Sequence, residues 1–182
     1  MKLRVLVRTD LDAFREIRLN ALKNNPESFG SSYEEELAFS NAKFIKRLEN
    51  ENARSFGAFE NEELLGFCTL MFQPRKKMNH RADIYSMYVE PHMRKKGIGR
   101  MLATKAIETA CENRKVEQIY LTVVSTNESA KALYKSLGFK IFGIEERAMK
   151  YEGNYYDHEL MVLFLRDGCG QIVWKKIIKR IV

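Results

Sequence analysis

The chain has 182 residues, 45% hydrophobic and 30% charged, and Lys plus Arg exceed Asp plus Glu by 31 − 24 = 7. That length suits one domain with a real core, and the composition is ordinary for a soluble globular protein. A disordered or fibrous chain is excluded, and the apolar runs are too short to span a bilayer.

The N-terminus, MKLRVLVRTD, meets Asp10 before any signal-peptide core develops, which points to a cytoplasmic protein. Cys68, Cys111 and Cys169 are scattered without CxxC spacing. This argues against a disulfide framework or a zinc site and for a reducing compartment. The basic balance favours an anionic partner: nucleic acid, a membrane surface or a phosphorylated cofactor. Net charge alone does not separate these.

Leu3 to Arg8 forms a short β-rich run. Asp10 then stands as the cap of a helix whose apolar positions Leu11, Phe14, Ile17, Leu19 and Leu22 roughly follow helical spacing. Pro26 and Gly30 break it. A second helix starts with Ser40 as cap and runs through Phe44, Ile45 and Leu48. SFGAFE and ELLGFCTLMF read as strands joined in a hairpin at Asn61-Glu62. After the polar loop PRKKMNHR comes another strand, ADIYSMYVE. A glycine segment follows, then an amphipathic helix through Ile98, Met101, Leu102, Ala106, Ile107 and Ala110. EQIYLTVV predicts a further strand, and NESAKALYKSLG a helix opened by Asn127 and closed by Gly138. Two last strand-like runs, FKIFGIEERAMKY and YYDHELMVLFL, flank Gly153-Asn154. The order is β-α-α-β-β-β-α-β-α-β-β, an α/β fold with a mixed sheet. No repeat, low-complexity tract or linker precedes Asp167.

The stretch VEPHMRKKGIGRML, Val89 to Leu102, combines a strand end, three like charges, two glycines and a helix start. Glycines there expose backbone N–H groups and let a ligand approach closely. The first helical turn adds unpaired donors and a partial positive charge. Together they suit an anion, best a phosphate. The segment is no P-loop, which needs G-x-x-x-x-G-K-[ST], and a dinucleotide fingerprint would need glycine where Leu102 stands.

In its setting, R-K-K-G-I-G resembles the (Q/R)-x-x-G-x-(G/A) signature of the GNAT superfamily, the acyl-CoA-dependent N-acyltransferases. NESAKALYKSLGFK resembles the second family signature, and the element order from Leu3 to about Leu165 is similar. The resemblance implies a GNAT-type mixed, mostly antiparallel central sheet flanked by helices. It assigns residues 1–166 to the acetyltransferase domain, leaves 167–182 as a tail, and makes acetyl-CoA the co-substrate.

The resemblance also implies roles. The diphosphate of acetyl-CoA would lie on backbone N–H groups from Arg94 through Arg100, taking in Lys95, Lys96, Gly97, Ile98 and Gly99. Backbone groups of Met87 and Val89 would flank the pantetheine arm, and Asn127 would contact the cofactor. Tyr134 would sit near the thioester sulfur and protonate the departing thiolate. Its ordinary pKa, near ~10, suits a donor that is not ionised at neutral pH. Attack by an amine also needs oxyanion stabilisation, expected from a strand-end N–H near Met87. Asp83 stands where some relatives carry a glutamate base. An aspartate is shorter, so a bridging water would complete its reach. His158, in YYDHEL, is a second titratable group expected near the acceptor.

The acceptor pocket is expected from the first two helices, their linker and the last hairpin, with Phe29, Tyr33, Glu34 and Tyr156 lining it. The acidic run Glu34, Glu35, Glu36 would attract a cationic amine. A small amine, polyamine or amino acid fits that description. The alternatives are a protein N-terminus or lysine, or an acyl-CoA-binding module without transfer. The tail, GQIVWKKIIKRIV, is basic and amphipathic; docking on its own domain or on a second subunit is expected rather than membrane binding. A homodimer is the family-based expectation. Nucleic acid is not an expected partner, because no recognised binding motif is present.

Overall fold

The computed structural model describes residues 1–165, so the tail expected over 167–182 lies outside the described residues. The strands are β1 (Lys2–Val5), β2 (Ala53–Glu60), β3 (Glu63–Phe72), β4 (Arg81–Val89), β5 (Gln118–Val124), β6 (Lys140–Tyr151) and β7 (Asn154–Phe164). The helices are α1 (Leu11–Asn24), α2 (Tyr33–Leu37), α3 (Asn41–Leu48), α4 (Ile98–Glu112) and α5 (Glu128–Ser136). All seven strands form one sheet in the order β1-β2-β3-β4-β5-β7-β6. Among the described residues only β4 and β5 run parallel. The mixed, mostly antiparallel sheet expected from the sequence is therefore present.

One helix was not anticipated. Ser32 accepts a bond from the Glu35 N–H while the Glu35 carboxylate takes the Ser32 N–H, and this capping box starts α2. Asp10 does not cap α1 as expected. Its carboxylate takes two bonds of 2.6 Å from Arg4 and one of 2.8 Å from the Val7 N–H. The charge of Arg4, close by in β1, outcompetes the helix amides. The β2–β3 turn is as predicted: Asn61 and Glu62 have φ of 48° and 66°, the left-handed pair that a two-residue hairpin requires.

Each sheet face carries its own core. Leu102, Ala106 and Ile107 of α4 meet Ala82, Ile84, Ile119, Leu121 and Met161 on one side. The buried alanines Ala103, Ala106 and Ala110 let α4 lie close to the strands. Phe14, Ile17 and Leu22 of α1, with Phe44 of α3, pack on Leu6, Phe67 and Tyr88 on the other.

Two departures from a regular sheet shape the site. β4 and β5 pair only at Arg81–Gln118, Ala82–Ile119 and Asp83–Tyr120, and then part. Beyond that fork β4 stays paired with β3 up to Val89, and β5 with β7 up to Val124. Residues 84–89 thus have no strand on their β5 side. The second departure is a bulge in β4. Tyr85 faces Thr69 and Tyr88 faces Phe67, so Ser86 and Met87 together stand opposite Cys68. Ser86 adopts a φ of 55° to make it.

Candidate active site

The glycine segment sits at the open end of the fork. Gly97 has a φ of 83° and directly precedes α4, a conformation that costs glycine little and other residues more. The Arg94 N–H bonds the Pro91 carbonyl at 3.3 Å, and the Met101 N–H bonds the Gly97 carbonyl at 3.0 Å. Between them, the N–H groups of Lys95, Lys96, Gly97, Ile98, Gly99 and Arg100 find no acceptor among the described residues. These donors, with the positive end of α4, form a cradle that fits a diphosphate. Lys95 and Lys96 are exposed at its rim.

Two basic side chains of the motif point elsewhere. Arg94 donates through Nε to the Val89 carbonyl at 3.0 Å and through Nη2 to Asn25 at 2.7 Å. It ties the end of β4 to the end of α1. Arg100 donates to the Ser136 hydroxyl at 2.7 Å and so links α4 to α5. The Arg94 N–H, expected to hold phosphate, is already taken by the Pro91 carbonyl, so of the two only Arg100 adds a backbone N–H to the cradle.

Asn127 caps α5 by accepting the Ala130 N–H at 3.0 Å, which leaves its side-chain amide N–H as the available donor. Tyr134, on the same helix, is only 5% exposed, and its ring meets Phe139 edge-on at 5.8 Å. Burial, aided by the nearby Cys68, pushes its hydroxyl pKa well above the ordinary tyrosine range. Cys68 lies opposite the bulge, and burial raises its thiol pKa likewise. Asp83 occupies the last joined rung of the fork, where its carboxylate accepts a short bond from the Gln73 side-chain amide.

Phe29, Tyr33 and Glu34 come together around one cavity, which Tyr156 does not line. A cavity of about 390 Å³ is lined by Phe29, Ser31, Tyr33, Glu34 and Glu35 from the α1–α2 region and by Met149, Lys150 and Tyr151 of β6. Tyr156 pairs with Met149 one strand away and influences Tyr151. Glu36 does not belong with Glu34 and Glu35 as an attractor of cations. It is fully buried, bonded by Arg18 at 3.1 and 2.7 Å, by Arg47 at 2.7 and 3.2 Å, and by Ser31 at 2.6 Å. Burial alone would raise its pKa, but the bonds from Arg18, Arg47 and Ser31 outweigh it and hold the carboxyl down at about 2.

A second buried pair escaped the sequence reading. Lys131 of α5 donates to the Ser125 carbonyl at 2.7 Å and to Glu159 of β7 at 3.0 Å, one turn before Tyr134. It anchors α5 to β7 and to the residue that follows β5. Glu159→Ala leaves a buried cation with weaker compensation. A fall of several degrees in Tm is expected by differential scanning calorimetry, and an unchanged Tm would show the pair to be dispensable. The only signal in the sequence was a lysine on the otherwise apolar face of a helix. Among the described residues, no His, Cys, Asp and Glu group is placed to hold a metal ion. No described helix is long and apolar enough to cross a membrane.

Known proteins are similar to this chain in sequence and in fold. N-alpha-acetyltransferase 30 of Xenopus laevis is 34% identical over 111 residues, 61% of this chain and 39% of that protein. The chain thus spans about two fifths of that relative's length. The L-amino acid N-acetyltransferase AaaT of Escherichia coli (strain K12) is 31% identical over 96 residues, 52% of this chain and 58% of that protein. The structure of the ribosomal-protein-alanine N-acetyltransferase from Brucella melitensis superposes with a TM-score of 0.79 at 26% identity, covering 91% of this chain and 100% of the other. The yncA protein of Salmonella typhimurium, solved with its cofactor acetyl-CoA, has a TM-score of 0.78 at 20% identity, covers 92% of this chain and 95% of its own, and shares the fold. The family model described as an acetyltransferase (GNAT) domain matches residues 3–160. With that match running through nearly all of the described residues, the chain belongs to the GNAT acetyltransferase family.

Proposed function

We propose that the protein transfers an acetyl group from acetyl-CoA to the primary amine of a small acceptor, by direct attack in a ternary complex. The observation that carries this is the fork between β4 and β5, open at residues 84–89 and ending at the unpaired N–H groups of Lys95 to Arg100. The donor supplies an activated thioester. The backbone of Met87 and Val89 flanks its arm, and the glycine turn holds its diphosphate. Asn127 offers an amide N–H from the far side of the fork.

The chain's own groups divide the remaining work. A backbone N–H at the Ser86–Met87 bulge polarises the acetyl carbonyl. Tyr134 presents a hydroxyl that burial keeps protonated, suited to donating a hydrogen bond to the thiolate as it forms. Asp83, at the apex of the fork, accepts a proton from the amine through water. Phe29, Tyr33 and Glu34 surround the acceptor, with Tyr156 behind them as the strand partner of Met149. Acceptors named in relatives include L-amino acids and L-2,4-diaminobutyric acid, which supports a small amine. A diphosphate-bearing donor does not cross membranes unaided, and we place the activity in the cytoplasm.

Calorimetry with acetyl-CoA, followed by thiol release across an amine panel, tests the reading. Binding without turnover on any amine would leave a sensing module instead. Gly97→Glu is expected to weaken acetyl-CoA binding by about 100-fold, because it sets a carboxylate against the diphosphate and strains a left-handed position. An unchanged Kd would put the diphosphate elsewhere.

A further inference from the structure

The charges around the acceptor cavity do not resemble those of a site for a plain cation. Lys23 and Lys150 line it together with Glu34 and Glu35, and the Glu35 carboxylate is already engaged by the Ser32 N–H at 2.7 Å. Lys23 stands 5.4 Å from the Tyr33 ring and Lys150 stands 5.0 Å from the Tyr155 ring. Behind the wall made by Phe29 and Ser31 lies the cluster of Arg18, Glu36 and Arg47, two guanidiniums against one carboxylate. The Arg18 guanidinium is 4.6 Å from the Phe29 ring, and its Nη2 donates to the Ser31 hydroxyl at 3.2 Å. Its Nη1 is buried with no hydrogen-bond partner among the described residues.

This excess positive charge extends toward the reacting strand, since Tyr85 of β4 feels both Arg18 and Arg47. A buried guanidinium N–H without an acceptor is uncommon, and two cations around one anion leave a charge that water reaches poorly. Arginine and lysine are the groups that hold carboxylates. We propose that the acceptor is a carboxylate-bearing amine, an amino acid rather than a polyamine. Its carboxylate is drawn to the side of the cavity backed by Arg18 and Arg47, while its amine faces the β4 bulge. The inference rests on the acetyl-transfer reading above and adds the chemical class of the acceptor.

Matched pairs test it with the unaltered 182-residue chain: lysine against cadaverine, and phenylalanine against phenethylamine, each scored by thiol release from acetyl-CoA. The expected kcat/KM is about tenfold higher for the carboxylate-bearing member, the worth of one charge-assisted hydrogen bond. Parity, or preference for the decarboxylated amine, would overturn the inference and leave acetyl transfer standing. If acetyl-CoA binds and no member of any pair is acetylated, both fall together. Arg47→Met tests the cluster itself. Arg47 is 36% exposed in its side chain, and its loss leaves Arg18 and Glu36 as a neutral pair. The preference is expected to shrink toward parity in that variant. A preference kept at full size would overturn the role given to the cluster.

Discussion

Replacing Glu36 by alanine is expected to destabilise the fold by about 3–5 kcal/mol, or roughly 6–20 °C in Tm. The carboxylate is completely buried and takes bonds from Arg18, Arg47 and Ser31. Without it Arg18, whose side chain is only 7% exposed, keeps its charge and loses its anion. Arg47 can turn to water; Arg18 cannot. The same carboxylate gives the acid limb of stability its sign. Its pKa is about 2 in the folded protein, against an ordinary value of 4.5. The stabilisation is therefore fully present above the unfolded value and lost as pH falls from there toward 2. Thermal melts of wild type and Glu36→Gln between neutral and acid pH should converge as pH drops. A Glu36→Ala variant within about 1 kcal/mol of wild type would mean that the arginines find other partners.

Tyr134→Phe is expected to lower kcat by about 100-fold with little change in the Kd for acetyl-CoA, at the lower end of what a positioned proton donor contributes. Even an ordinary tyrosine, near ~10, lies above a thiol near ~8.5, so full proton transfer to the thiolate is uphill by about 2 kcal/mol. Burial raises the hydroxyl further. On the proposed mechanism Tyr134 therefore stabilises the leaving sulfur by donating a hydrogen bond, and the sulfur takes its proton from water. The pH profile carries the signature. Because the pKa is raised, kcat should show no loss through the range where an ordinary tyrosine ionises. An alkaline limb there that vanishes in Tyr134→Phe would reverse this assignment, and a variant with kcat close to wild type would remove Tyr134 from the reaction.

The parts of the site that were legible in the sequence are those whose logic is local. Gly97 announces a turn before α4, Asn127 caps α5 by bonding three residues ahead, and the strand-like run ADIYSMYVE marks β4. What stayed hidden depends on residues distant in the chain. Glu36 reads like its neighbours Glu34 and Glu35 until α1 and α3 bring Arg18 and Arg47 onto it from 18 and 11 residues away. Arg94 sits in a phosphate-binding motif, yet its guanidinium reaches Asn25, 69 residues earlier. Lys131 and Glu159 meet only because α5 lies over β7. Sequence spacing carries the free backbone donors of the glycine turn; the charge balance behind Phe29 and Ser31 exists only after folding.

The extra residue at Ser86–Met87 also works as a phase reversal within a single strand. Ala82 and Ile84 feed the core under α4, and two-residue alternation would send Tyr88 there too, but Tyr88 belongs to the core under α1. Flattening the bulge with every residue kept would turn the strand's last rungs over and offer each core the other's side chains, whereas losing one residue together with the bulge would leave Tyr88 on its present face. The kink and the residue count of that short interval are thus matched, and neither can change alone.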